Sequence, residues 1–261
     1  MTAAQYIKTA CMEKGFSILN LNLRFGLAAD GANSWPFRAK AYPPLFDAYP
    51  SDFYTFQEAN GFQVDFLRRL LPQYGVIGER RPAPDFWQSN VIFHHRRWRC
   101  ISHDYFFLSE TPDIPSKFDK SQWPRQCTMG VYQCNGHSVA VINTHFDFDP
   151  EIQRRSAELI SRRLRSWIRP GPAVLAGDFN TEPGSSAYEV FSSNQAGFRN
   201  VFRPPYAGTH HGFSGNTTGG TIDWILYRGH LTAAGAAVIV EKFNGIYPSD
   251  HFPLRADFEW I

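Results

Sequence analysis

The sequence contains few charged residues. Only 19% of its 261 residues are Asp, Glu, Lys or Arg, against about 25% in a typical globular domain. So few charges, together with 43% hydrophobic residues, exclude a disordered chain. The formal net charge of +2 gives no general electrostatic preference for nucleic acid or for an anionic membrane.

Long apolar runs and paired cysteines are also missing. No stretch approaches 18 consecutive apolar residues, so no transmembrane helix is expected. The N-terminus lacks the apolar segment of a signal peptide, and we expect a cytoplasmic protein or one exported without such a signal. Cys11, Cys100, Cys127 and Cys134 form no Cys-x-x-Cys pair, which predicts free thiols and no zinc site.

The length suits one large domain. The two longest turn-rich stretches, Glu110–Pro124 and Pro204–Gly220, do not resemble linkers, because strand-like segments continue on both sides. We expect an N-terminal extension over residues 1–15 and a single domain over residues 16–261. The turn-rich stretches would then be long loops, which in compact domains are often functional.

Ten short runs are apolar or alternating and are bounded by Gly, Pro, Asn or Asp, which is typical of β-strands. They are Phe16–Leu23, Phe53–Gln57, Val91–His94, Tyr105–Leu108, Met129–Gln133, Val139–Asn143, Ala173–Ala176, Thr221–Tyr227, Ala236–Val240 and Leu254–Glu259.

Helices are fewer but distinct. Helical periodicity is clearest over Pro150–Ile168, which starts with a proline suited to a first helical turn. A second helix is expected over Gln63–Leu71. Arg38–Ala48 is a third candidate, but Pro43 and Pro44 cannot sit comfortably in the middle of a helix. Strands and helices together predict an α/β layered sandwich.

Polar side chains recur at the ends of the strand-like runs. Alternation places Asn20 and Asn22 on one face of the first run, Glu58 follows the second, and His145 follows Val139–Asn143. Each has a structural explanation when taken alone. The amides could bond to a neighbouring loop, Glu58 could cap a helix, and His145 could be a satisfied structural histidine.

Three more runs carry acids at or near their ends. Asp178 and Asn180 lie in a Gly-Asp-Phe-Asn segment, which a simple Asx-turn would also explain. Asp223 interrupts an apolar run, and a buried carboxylate is costly unless it is paired with a histidine or a metal-bound group. Asp250 and His251 precede the final run.

Taken together, the six positions combine acids, amides and two histidines in a chain with few charges. Oxygen ligands of this kind suit a hard cation such as Mg²⁺ or Mn²⁺ rather than zinc. Such an ion commonly acts with a substrate phosphate. The combination therefore indicates metal-assisted phosphoryl transfer to water.

In this order, the motifs NLNLRF, QE, NTHFD, GDFN, IDWI and SDHFP closely resemble those of the endonuclease/exonuclease/phosphatase superfamily, in a bacterial-type branch. The superfamily has the fold of pancreatic deoxyribonuclease, and the resemblance extends from about Phe16 to Glu259. It implies a four-layer αββα sandwich of two mixed β-sheets flanked by helices. The active site would open at one end of the sheets.

The resemblance also implies three groups of site residues. The metal ligands would be Asn22, Glu58 and Asp250. The substrate phosphate would contact Arg125, His145 and Asn180. The catalytic residues would be His145, Asp178, Asn180, Asp223 and His251. Whether Asp178 or His251 is the general base stays open.

The expected activity is hydrolysis of phosphate esters by a Mg²⁺- or Mn²⁺-dependent phosphoesterase, with water attacking phosphorus in line. A phosphodiesterase or nuclease is the first expectation, with nucleic acid, a nucleotide or a small phosphoester as substrate. The alternative is a phosphomonoesterase acting on a lipid, sugar or nucleotide phosphate. A non-catalytic protein that binds phosphate ligands is a more remote possibility.

Two features bear on the substrate. The arginines of the Glu151–Arg169 segment could track a nucleic-acid backbone, although charged side chains more often form a solvated helix face. Six aromatic residues could line a pocket or belong to the core: Trp35, Phe37, Trp87, Phe106, Phe107 and Trp123.

Overall fold

The computed structural model describes residues 15–167 and 171–261. In these ranges it contains twelve strands. They are β1 (Gly15–Asn22), β2 (Phe53–Ala59), β3 (Tyr74–Ile77), β4 (Ser89–His95), β5 (Arg99–Phe107), β6 (Gln126–Cys134), β7 (His137–His145), β8 (Ala173–Asp178), β9 (Arg199–Asn200), β10 (Asp223–Arg228), β11 (Leu231–Val238) and β12 (Leu254–Trp260).

The same ranges contain five α-helices. They are α1 (Trp35–Arg38), α2 (Tyr42–Ala48), α3 (Gly61–Leu70), α4 (Pro150–Trp167) and α5 (Ser186–Ser192). Short 3₁₀ turns at Gly31–Asn33 and Ala39–Ala41 precede and follow α1.

The strands form two six-stranded sheets, in the orders β11-β12-β1-β2-β4-β3 and β5-β6-β7-β8-β10-β9. Each sheet is mixed: β1 pairs with β2 in parallel, and β7 pairs with β8 in parallel. Helices α1 to α3 share a buried apolar cluster with the outer face of the first sheet, and α4 and α5 do the same with the second. The predicted four-layer sandwich is thereby confirmed.

The helices follow from their apolar faces. In α4, Ile152, Leu159, Ile160 and Leu164 are buried against the second sheet, as expected for an amphipathic helix. Its predicted start at Pro150 is confirmed, and its predicted last residue, Ile168, lies outside the described residues.

The expected helix over Arg38–Ala48 is not continuous, and only Tyr42–Ala48 of it forms one α-helix. Helix α1 ends at Arg38, a 3₁₀ turn follows, and α2 starts at Tyr42. Pro43 and Pro44 therefore lie in the first turn of α2, where a missing backbone N–H costs no helical hydrogen bond.

Each of the ten predicted strand runs overlaps an observed strand. The prediction missed β3 and β9, which are an edge strand of four residues and a strand of two, and α5, whose seven residues are too few for clear periodicity. Both predicted long loops lie outside the strands. Cys100, Cys127 and Cys134 are free thiols, as expected, whereas Cys11 is outside the described residues.

The space between the sheets is apolar at one end and polar at the other. The apolar end includes Phe16, Ile18, Val141 and Val174. The polar end contains six fully or almost fully buried side chains, which we call the polar layer. They are Asn20, Thr55, Gln57, Asn90, Thr128 and Asn143.

The polar layer joins one sheet to the other. The Asn143 amide of β7 donates to the carbonyls of Phe56 (2.9 Å) and Val91 (2.8 Å) in the opposite sheet. Its oxygen accepts a 2.6 Å hydrogen bond from Gln57, which also donates to Asn20. Because buried amides are costly unless they are satisfied, these bonds set how the two sheets align at this end.

No helix in residues 15–167 or 171–261 has both the length and the apolar character needed to cross a membrane.

We expect Asn143→Ala to destabilise the protein by about 2–4 kcal/mol, because it removes two buried hydrogen bonds to carbonyls of the opposite sheet and the one that Gln57 donates to Asn143. Urea unfolding measures this change. Asn194→Ala, at an exposed turn position, is the control and should change the unfolding free energy by less than about 0.5 kcal/mol. Equal stabilities for the two variants would show that the polar layer does not hold the sheets.

Candidate active site

The polar residues singled out in the sequence lie at one end of the sandwich. Strands β1, β2, β7 and β8 finish there, and β6, β10 and β12 start there, because the former are paired in parallel and the latter are antiparallel to them. Strand direction thus brings distant parts of the chain to one edge.

Asn22 is the link between the two sheets at this edge. Its buried Nδ2 donates to Oε1 of Glu58 (3.1 Å) and to Oδ2 of Asp178 (2.9 Å). Its oxygen accepts from the backbone N–H of Arg24 (2.8 Å). Because the amide nitrogen is committed to two carboxylates, its oxygen is directed away from them.

Glu58 is aimed by a local irregularity in β2. The register of β2 against β4 shifts between Phe56 and Ala59, and a bulge of this kind redirects a side chain. Glu58 itself has φ of 57°, an unfavourable value for a non-glycine residue. Its Oε2 accepts a 2.6 Å hydrogen bond from the N–H of Phe25.

Positive φ angles concentrate at this edge. Six non-glycine residues in the described chain have them, and Arg24, Glu58 and Asn180 are three of the six. Backbone strain of order 1–3 kcal/mol per residue persists where surrounding structure imposes it, and it clusters at functional sites.

Asp178 lies at the centre of the site and is buried. Its Oδ1 accepts from the N–H of Asn180 (3.0 Å). Its Oδ2 lies 3.5 Å from Nε2 of His145 and 3.8 Å from Nε2 of His251. Burial, reinforced by the charge of Asp223, raises the pKa of Asp178 above its usual range.

His145 is held neutral by its surroundings. Nη1 of Arg125 lies 3.1 Å from Nδ1, and the Asn180 amide nitrogen lies 3.1 Å from Nε2. Arg125 can only donate, so Nδ1 must accept, and the single proton of the neutral ring lies on Nε2. Burial, followed by the charge of Arg125, holds the pKa of His145 well below its usual value. The tautomer with its proton on Nε2 accepts from Arg125 and directs an N–H toward Asp178.

His251 has the opposite environment. Its Nδ1 lies 2.8 Å from Oδ2 of Asp223. Burial lowers the pKa of His251, but the charges of Asp223 and Asp178 outweigh burial and raise it to about 10. The other oxygen of Asp223 is buried and has no hydrogen-bond partner in the described chain.

Asp250 is surrounded by positive groups. Its Oδ2 lies 3.6 Å from Nε of Arg24 and 3.8 Å from Nε2 of His210. Burial would raise the pKa of Asp250, but the nearby imidazole of His210 and the charges of His251 and Arg24 hold it well below its usual range.

All nine residues predicted for the site lie at this edge, in two contact groups. One chain of contacts joins six of them: Asn22, Glu58, Asp178, Asn180, His145 and Arg125. Asp223 and His251 join it through Asp178. Asp250 approaches this chain beside Arg24 and His210.

Sequence reasoning did not assign Arg24 and His210 to the site. Arg24 forms a two-point ion pair with Asp30 and also faces Asp250, with Glu58 close enough to influence its charge. His210 packs its ring against that of His251 at 4.8 Å. Arg24 lies inside the NLNLRF motif, so its position near Asn22 in the sequence was a signal. His210 left no such signal, because only its contact with His251 in the folded structure identifies it.

The chemistry of the donor atoms fits a hard divalent cation. Two sets of three side chains have donor atoms within 4.8 Å of one another: His210, Asp250 and His251, and Asp178, Asp223 and His251. Glu58 belongs to neither set, although its charge influences Arg24, which contacts Asp250. Amide and carboxylate oxygens from Asn22, Glu58 and Asp250 are ligands of the type that Mg²⁺ and Mn²⁺ prefer.

The two features considered for substrate contact have different outcomes. Arginines of α4 are engaged with acids, with Arg154 paired to Glu151 and Glu158, Arg155 to Glu110 and Arg163 to Asp113. These pairs favour the solvated-face interpretation of α4.

Of the six aromatic candidates, three belong to the core and three reach the surface. Trp35, Phe106 and Phe107 are buried, Phe37 and Trp123 are exposed, and Trp87 is half-buried.

Comparisons with known proteins bear on these observations. A model of the "Endonuclease/Exonuclease/phosphatase family" matches residues 19–251. Among curated proteins, mouse Nocturnin is 24% identical over 249 residues, covering 82% of this chain and 56% of that protein. The chain thus spans about half the length of this curated relative.

Solved structures of similar fold cover nearly the whole chain. An endonuclease/exonuclease/phosphatase from Bacteroides vulgatus superposes with a TM-score of 0.88 at 25% identity, covering 95% of this chain and all of that one. A mannosyl-6-phosphatase from Bacteroides thetaiotaomicron superposes with a TM-score of 0.84 at 25% identity, covering 94% of this chain and all of that one.

We expect Asp223→Asn to lower the pKa of His251 from about 10, because it removes the largest of the charges that outweigh burial. An NMR titration of the imidazole signals in EDTA measures this. Asp257→Asn, at an exposed position on β12, should leave His251 unchanged. A His251 pKa that is the same in wild type and Asp223→Asn would contradict the pairing.

Proposed function

Because the chain belongs to the endonuclease/exonuclease/phosphatase family, we propose that it hydrolyses phosphate esters, with a phosphodiester bond of nucleic acid as the preferred substrate. The observation that supports this most strongly is the surroundings of Asp178. Two imidazole Nε2 atoms lie 3.5 and 3.8 Å from one of its oxygens. A carboxylate can accept a proton from water there, while both imidazoles face the same small space.

A divalent cation would be held by oxygens of Asn22, Glu58 and Asp250. When bound, Mg²⁺ or Mn²⁺ would neutralise charge on the phosphate oxygens. The commitment of the Asn22 nitrogen to Glu58 and Asp178 supports this role, because it orients the amide oxygen as the ligand.

Asp178 would orient and deprotonate the attacking water. Of Asp178, His145 and His251, it is the group that can only accept when ionised. His145 already uses Nδ1 to accept from Arg125, and His251 uses Nδ1 to contact Asp223. Both histidines therefore have an Nε2–H to offer, which favours Asp178 over His251 as the base.

His145, Asn180 and Arg125 would bind the phosphate. The Nε2–H of a neutral His145 can donate to a non-bridging oxygen, as can the Asn180 amide beside it. Arg125 is buried behind the ring and would add positive charge where negative charge develops in the transition state.

His251 and Asp223 would act as a pair on the side of the leaving group. Asp223 holds the imidazole through Nδ1 and leaves Nε2–H free to donate to an oxygen of phosphorus or of the leaving group. A donor already oriented before reaction lowers the barrier without reorganisation.

A phosphomonoester is the second candidate substrate. It is favoured by the similarity to a mannosyl-6-phosphatase over almost the entire chain. The two candidates differ in whether the phosphate carries one organic group or two, and a substrate panel separates them.

We expect Asp178→Asn to lower hydrolysis by at least about 100-fold, since it removes the proton acceptor. The panel pairs wild type and variant with Mg²⁺, Mn²⁺ or EDTA, and includes single-stranded and duplex nucleic acid, bis-p-nitrophenyl phosphate, p-nitrophenyl phosphate and sugar and inositol phosphates. Asp47→Asn, an exposed carboxylate of α2, is the matched control and should retain activity.

Each part of the substrate panel has an outcome that would contradict the proposal. Full activity in Asp178→Asn would reject the assigned base. Turnover that persists in EDTA would reject the metal. A preference for monoesters over diesters would replace the nucleic-acid substrate with the second candidate.

A further inference from the structure

A groove lies beside the site, between the start of α3 and the loop that joins β3 to β4. It encloses about 670 Å³, which is within the roughly 300–1,000 Å³ typical of ligand pockets. Phe62 and Asp65 of α3 line one side, and Glu79, Arg80, Arg81 and Trp87 line the other.

Two aromatic rings contribute to the groove. Trp87 is half-buried, and its indole N–H is buried without a hydrogen-bond partner in the described chain. The guanidinium of Arg80 lies 4.5 Å from the centre of the Trp87 ring. Phe62 is 37% exposed. Rings left accessible in a concave site are suited to stacking against a planar group.

The charged side chains of the groove differ in whether they have ion-pair partners. Arg81 bridges Glu79 and Asp65, and Arg68 also pairs with Glu79. Both oxygens of Glu79 are therefore occupied, whereas Asp65 uses only Oδ1. Arg80, by contrast, pairs with no carboxylate in the described chain, so it remains free to bind an anion.

Asn60 joins the groove to the site. This fully buried residue donates to the carbonyls of Asp85 (2.9 Å) and Trp87 (3.1 Å). Its oxygen accepts from the N–H of Gly26 (2.9 Å), in the segment that also binds Glu58. Since Glu58 precedes Asn60 by only two residues, a reach of at most about 7 Å, and Gly61 lines the groove, the groove borders the expected position of the phosphate.

We propose that the groove binds one nucleotide of a single-stranded nucleic acid, with its base stacked in the groove against Trp87 and Phe62 and a backbone phosphate on Arg80. This inference rests on the proposed function and names the substrate class of the same site. Aromatic faces plus a free cation match a base and a phosphate.

The test measures the binding of a fluorescein-labelled single-stranded oligonucleotide by fluorescence anisotropy. EDTA is present so that no turnover occurs. Trp87→Ala should raise the Kd about 10-fold or more, which is the range found for loss of one stacked base. Phe86→Ala is the matched control, because Phe86 is an exposed neighbour and does not line the groove. It should change the Kd less than about 2-fold.

Two further variants test whether Trp87→Ala acts only by disturbing the fold and whether Arg80 contacts a phosphate. Trp87→Phe keeps an aromatic face and should recover most of the binding. Arg80→Gln should reduce the slope of log Kd against log salt by about 0.7, the value for one phosphate contact to a single strand.

Several results would overturn the proposal. These are no oligonucleotide binding by wild type, equal losses in Trp87→Ala and Phe86→Ala, an unchanged salt slope in Arg80→Gln, or displacement of the strand by mannose 6-phosphate. A wild type that binds the strand through Trp87 but hydrolyses no ester would instead contradict the proposed function and support the groove.

Discussion

The alignment of the two sheets at their polar end is the constraint on which the site depends. Asn143 and Gln57 connect strands of opposite sheets with hydrogen bonds of 2.6–2.9 Å, and Asn22 connects Glu58 of one sheet to Asp178 of the other. Apolar side chains alone would allow the sheets to slide, because hydrophobic contact is not directional. Buried amides fix one relative position, since any other leaves them unsatisfied.

This alignment gives two histidines opposite roles. His145 faces donors, Arg125 and Asn180, and is held neutral, whereas His251 faces the carboxylates of Asp223 and Asp178 and is held charged. Environment rather than residue type sets these protonation states. A site with one neutral donor, one charged donor and a carboxylate between them is suited to moving one proton from water while charge grows on phosphorus.

The sequence was most informative where strand ends carried polar residues. Alternation placed Asn20 and Asn22 on the inner face of β1, and their hydrogen bonds across the sheets agree with that placement. The ordered motifs identified the family and the four layers. Strand pairing could not be read from them, so neither could the contact of Arg24 with Asp250.

Other features left no periodic signal in the sequence. The bulge that redirects Glu58 depends on how β2 meets β4. The groove depends on a loop whose residues follow no helical or strand pattern, and on Asn60, whose role beyond capping α3 leaves no signal in the sequence. The arginines of α4 left a binding face open beside the favoured solvated face, and their acidic partners in distant loops agree with the solvated face.

The most direct test of the account is a crystal structure of the protein with Mn²⁺ and a non-hydrolysable phosphodiester. The account predicts an anomalous manganese peak bounded by Asn22, Glu58 and Asp250, and a phosphate within hydrogen-bond distance of His145 and Asn180. Manganese bound away from Glu58, or a phosphate bound outside the edge where the strands converge, would contradict it.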